Sequence, residues 1–109
     1  MTFDQIETIL EENEIRIIGD LQDRYVDLEF FSPLGEDFIM SIDFDGTPKD
    51  FVVQFLNYCA DFDPDEHAAF WIENRGKNGT PFSVRALVDD AEAIDDFLLD
   101  VMQQLATLP

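Results

Sequence analysis

Basic residues are scarce in this chain. Six Lys and Arg stand against 25 Asp and Glu in 109 residues, a formal net charge of -19. That shortage excludes direct nucleic-acid binding, which needs a basic footprint, and binding to an anionic membrane surface. Cysteine occurs once, at Cys59, so no intrachain disulfide can form. With His67 as the single histidine, the chain also lacks the ligands of a structural zinc site. No apolar run approaches the ~20 residues needed to span a bilayer. Residues 1–12, MTFDQIETILEE, have neither the basic region nor the apolar run of a secretory signal. Together with the lone thiol, this predicts a cytoplasmic protein. Walker, GxGxxG and GxSxG motifs are also missing, so no catalytic residue and no cofactor is expected.

What is present is a core. Hydrophobic residues make up 46% of the chain and aromatics 13%, with 11 Phe. A disordered acidic tail is poor in these residues. The length suits one domain over residues 1–109, able to bury roughly 60–65% of its unfolded surface. It must fold against strong self-repulsion.

Periodicity predicts the elements. Phe3, Ile6, Ile9 and Leu10 recur at helical spacing between Thr2 and Asn13, and Thr2 with Gln5 fits a capping box. Glu14 to Ile18 is short and β-branched. Tyr25–Phe31 and Asp37–Phe44 alternate apolar and polar residues. The turn residues of Ser32-Pro33-Leu34-Gly35-Glu36 join those two strands as an antiparallel hairpin. Thr47-Pro48-Lys49-Asp50 then starts a helix with the stripe Phe51, Phe55, Tyr58, Cys59 and Phe62. Asp63-Pro64-Asp65-Glu66 starts a shorter helix that carries Phe70, Trp71 and Ile72 to Gly76. NRGKNGTP, residues 74–81, reads as a loop. The last helix begins between Thr80 and Ser83 and aligns Val84, Leu87, Ala91, Ile94, Leu98, Val101 and Leu105. The order α-β-β-β-α-α-α predicts an α+β fold, a three-stranded antiparallel meander with helices packed on one face.

Most chemistry-bearing residues have a structural reading. A Cys59–His67 nucleophilic pair would need contact and a positive neighbourhood, whereas Cys59 falls on an apolar face among acids. Asp61, Asp63 and Asp65 resemble the first half of an EF-hand loop, but the sixth and twelfth positions hold Glu66 and Ile72 instead of Gly and Glu. A cation-dependent enzyme built on these acids, or on the Asp43–Asp45 turn, lacks a nucleophile, base or phosphate-loop signature. Weak calcium or magnesium binding remains compatible with so many carboxylates. Arg75, Lys77 and Gly79 form the one basic loop, read as a solvated turn.

The charge is the strongest signal. Asp89, Glu92, Asp96 and Asp100 recur every three to four residues on the last helix, ~5–6 Å apart. Asp27 and Glu29 lie ~6.6–6.8 Å apart on the second strand. Phosphates repeat on a comparable scale, and a net charge of magnitude ~2–8 already keeps a small domain soluble. The six acids therefore define a candidate surface for a positively charged protein partner, with the chain imitating DNA. An ordinary interaction module is the other reading, with Phe70 and Trp71 as aromatic anchors.

The stretch Asp63–Leu98 has an Asp-x-Asp-Glu-His start, a Trp-Ile pair, a Gly-containing loop and a Pro-x-Ser-x-x-x-Leu-x-x-Asp-Ala-Glu run. In this it resembles small acidic proteins of bacterial conjugative and other mobile elements. Segments of this style occur near antirestriction proteins, some of which imitate DNA. The resemblance implies an accessory factor of a mobile element and no catalytic residue.

Overall fold

The computed structural model describes residues 1–74 and 82–109. Among these, the elements are α1 (Phe3–Glu12), β1 (Arg16–Ile18), β2 (Tyr25–Phe31), β3 (Asp37–Asp43), α2 (Pro48–Asp61), α3 (Pro64–Asn74) and α4 (Val84–Ala106). The expected order and α+β class are present. The sheet is an antiparallel meander, β1-β2-β3, with Leu28 opposite both Ile17 and Met40.

Local chemistry sets the helix ends. Thr2 and Gln5 form the reciprocal capping box of α1. Thr47 caps α2 through Asp50 N, with Pro48 as its first residue. Asp63 Oδ1 accepts the Asp65 and Glu66 N–H groups at the start of α3. Ser83 caps α4 through Ala86 N.

The first strand is shorter than its sequence suggests, because α1 ends in a six-residue closure. Glu14 N donates to Glu11 O, and Ile15 N donates to Leu10 O at 2.9 Å. Buried Ile15 and Leu10 bracket this Schellman motif. Its left-handed position, with φ 60, holds Glu14 where glycine is usual. A carboxylate there also meets the negative end of the helix dipole. Glu14→Gly is therefore expected to stabilise the protein by roughly 1 kcal/mol, after the extra chain entropy of glycine is set against the relieved strain. Thermal unfolding followed by circular dichroism should show a midpoint about 4–6 °C higher.

The core lies between one sheet face and the helices. Val26, Leu28, Phe30, Phe38, Met40 and Ile42 point inward from β2 and β3. They meet Phe51 and Phe55 of α2 and the Ile94, Leu98, Val101 and Leu105 stripe of α4. Val84 stands at the head of the expected stripe but is exposed, since α4 begins there, beyond the packed layer. The other sheet face is uncovered by helices and carries Tyr25, Asp27, Glu29 and Phe31. The molecule measures 44 × 24 × 22 Å. Helix α4 runs from the β2–β3 hairpin tip, where Asp90 sits, to α1, where Gln104 bonds Asn13. No helix among the described residues is long and apolar enough to cross a membrane.

Candidate partner-binding site

The hairpin tip is a small hydrogen-bonded unit. Ser32 N donates to Glu36 O, Gly35 N donates to Ser32 O, and the buried Ser32 Oγ accepts Glu36 N at 3.0 Å. Gly35 has φ 89, a left-handed conformation that suits glycine and closes the turn. This closure sets the next residue, Glu36, against α3. Its Oε1 accepts Trp71 Nε1–H at 2.9 Å, and its Oε2 lies 2.9 Å from His67 Nε2. The tautomer with its proton on Nε2 lets His67 donate to this carboxylate. His67 and Trp71 are four residues apart on α3, which puts both on one helix face. Phe38 and Phe62 flank the His67 ring at 5.7 and 5.4 Å.

A second carboxylate reaches the same turn from α4. Asp90 is 7% exposed, and its Oδ1 accepts Leu34 N–H at 2.9 Å. The two acids thus tie the tip to α3 and to α4. Between these elements lies a cleft of about 370 Å³, with Glu36, Asp37, His67, Trp71, Phe82 and Asp90 in its lining.

The acids singled out by spacing occupy two separate faces. Asp89, Glu92, Asp96 and Asp100 are exposed along α4. Asp89 pairs with Arg85 at 3.3 Å, and Asp100 accepts Gln104 Nε2–H at 3.2 Å. Asp27 and Glu29 lie on the open sheet face, half-buried. Asp27 accepts the Ser41 hydroxyl at 2.7 Å, and Arg16 reaches Glu29 Oε1 at 2.8 Å. Four of the six therefore have local partners, two of them one helix turn away and two on neighbouring strands. Asp37, diagonal to Glu29 on the same face, has its carboxyl pushed above the usual range. Partial desolvation is the main cause, reinforced by the Glu29 carboxylate and opposed by Arg16. The core separates this sheet face from the α4 acids, so the structure does not join the two groups. Of the two aromatic residues, Phe70 is 57% exposed, while Trp71 is half-buried with its N–H bonded to Glu36.

The remaining chemistry-bearing residues have structural surroundings. Cys59 is buried with Sγ 3.8 Å from Leu98 O. Burial, with Asp95 nearby, pushes its thiol up to about 11, far from the thiolate a nucleophile needs. Asp45 Oδ1 accepts both the N–H and the hydroxyl of Thr47, which holds its carboxyl below the usual range. Among the described residues no three His, Cys, Asp or Glu side chains cluster as a metal site would require. The basic loop of Arg75, Lys77 and Gly79 lies outside the described residues.

The latch of Glu36, His67 and Trp71 had no sequence signature, because its members are 31 and 35 residues apart. Asp90 did have one. It follows Leu87 by three residues and precedes Ile94 by four, an acid on an apolar stripe. Fold and site together define a small acidic α+β protein with an open sheet face and a carboxylate-lined cleft. No family model matches the chain, and no curated protein and no solved structure matches it.

Proposed function

We propose that this chain is a non-enzymatic binding protein that occupies the basic, nucleic-acid-binding surface of another protein by presenting DNA-like charge. One observation carries the reading. Its 19 net negative charges are spread over a body 44 Å long, one per about 2.3 Å. Double-stranded DNA carries one per about 1.7 Å of axis, and 44 Å spans about thirteen of its base pairs. The resemblance of Asp63–Leu98 to small acidic proteins of mobile elements supports the same reading, as does the exposure of the α4 acids. Carboxylates on two faces of a slender rod suit a groove that closes around its ligand.

The test is capture of bacterial proteins on the immobilised chain, with salt elution and competition by duplex DNA. Captured partners are expected to bind DNA themselves and to be displaced by it. Their affinity should fall at least about tenfold between roughly 50 and 200 mM salt. Replacing Asp89, Glu92, Asp96 and Asp100 together by their amides should weaken binding further. Partners that ignore DNA, or affinity indifferent to salt, would remove the reading.

A further inference from the structure

We infer that the cleft between the hairpin tip, α3 and α4 is a pocket for an arginine side chain of the partner. The choice of occupant rests on the function proposed above and names the contact that gives it a fixed orientation.

The chemistry of the cleft selects a cationic group with an apolar stem. Asp90 is more than nine-tenths buried, and only its Oδ1 is engaged, by Leu34 N–H. Its Oδ2 has no hydrogen-bond partner among the described residues. Among the described residues every fully buried side-chain oxygen has a partner, so this Oδ2 reaches the water of the cleft, where it is open to a donor and to a charged one most. Glu36 adds a second acid to the lining, which among the described residues contains no Lys or Arg. Both Glu36 oxygens are already held by α3, so that side chain is fixed rather than free to swing. Leu34 and Leu87 supply apolar wall, and Trp71 and Phe82 supply aromatic rings.

Arginine matches each of these features. Its methylene stem can lie along leucine, and its planar guanidinium can stack on an aromatic ring. Its fixed fork of donors can place one N–H on Asp90 Oδ2 and direct the others to neighbouring acceptors, whereas a lysine ammonium is a compact point charge. A neutral amide or hydroxyl could donate to Asp90 Oδ2 but would leave the acidic cleft without a counter-charge. A divalent cation would need several carboxylates converging, and no such cluster is present among the described residues.

Trp71 is the single tryptophan of the chain, so it reports from the cleft itself. N-acetyl-argininamide, titrated at constant ionic strength, is expected to change Trp71 fluorescence saturably. The lysine analogue should bind several-fold more weakly, and the citrulline analogue should leave the signal unchanged. Asp90→Asn keeps an oxygen for Leu34 N–H but removes the charge, and should weaken binding about tenfold or more. Amide NMR of Leu34 and Gly35 gives a second readout that is independent of the indole, and melting curves confirm that the variant is folded. Equal binding by Asp90→Asn, or shifts scattered over the α4 acids without saturation at the hairpin tip, would overturn the pocket. A salt-sensitive DNA-binding partner that binds Asp90→Asn as tightly as the parent would also overturn it, leaving the charge-mimicry reading intact. Saturable arginine binding in the cleft without any such partner would remove the mimicry reading and leave the pocket standing.

Discussion

Phe51→Ala is expected to leave the chain largely unfolded at neutral pH and low salt. Phe51 is 0% exposed and sits in the first turn of α2. Its ring meets Phe44 edge-on at 5.3 Å and Phe55 at 6.3 Å, so it joins the end of β3 to the helical layer. Truncating a buried phenylalanine costs about 3–5 kcal/mol through lost transfer energy and the cavity left behind. Small domains have only about 5–15 kcal/mol in total. A net charge of -19 works against compactness as well. Urea titration should place the variant's midpoint about 2 M below the parent's, or show no folded baseline. Added salt should recover part of the loss by screening repulsion. Phe31→Ala is the control. Its ring is 65% exposed on the open sheet face, and its loss should cost less than about 1 kcal/mol.

Glu36→Ala is expected to be the second most damaging change, at about 2–3 kcal/mol. The substitution removes the acceptor of Trp71 Nε1–H and the partner of His67 Nε2 together. Hydrogen bonds to a charged group contribute about 1.5–3 kcal/mol each, and these are partly wet, with side-chain exposures of 20% for His67 and 16% for Glu36. Removing one of many negative charges offsets a little of the cost, less so in salt. The hairpin tip would keep its tie to α4 through Asp90 but lose its tie to α3. Trp71 emission should shift to the red as the indole gains water, before global unfolding in a urea titration. Glu36→Gln retains one carbonyl oxygen for the indole and should cost about half as much. Equal stability of Glu36→Ala and the parent would show that α3 is held by its packing on α4 alone.

Much of the fold is legible because it is local. Thr2, Thr47, Asp63 and Ser83 cap helices from three residues away or fewer. The alternation of Val26, Leu28 and Phe30 sets the core face of β2 without reference to any partner. One local signal was misleading. Glu14 and Ile15 look like strand residues, but they close α1, because a left-handed Glu14 lets Ile15 reach back to Leu10.

The candidate site was less legible. Asp27 and Glu29 lie on the uncovered sheet face as alternation requires, yet their partners Ser41 and Arg16 come from the neighbouring strands. Their register depends on the hairpins rather than on spacing. Trp71 and Phe70 are adjacent in the chain but have different surroundings. A helix turns about 100° per residue, so one faces the hairpin tip and the other faces water.

By itself, the sequence determined the elements, their caps, their buried faces and the net charge of -19. Each of these depends on composition or on residues within about four positions of one another. Only the tertiary structure decided that the acids occupy two faces, that Glu36 latches α3 and that Asp90 meets the hairpin tip. Those contacts join residues 31 to 56 positions apart. Helix packing, not local periodicity, brings such pairs within hydrogen-bonding distance, because it sets where each helix face comes to rest against the sheet.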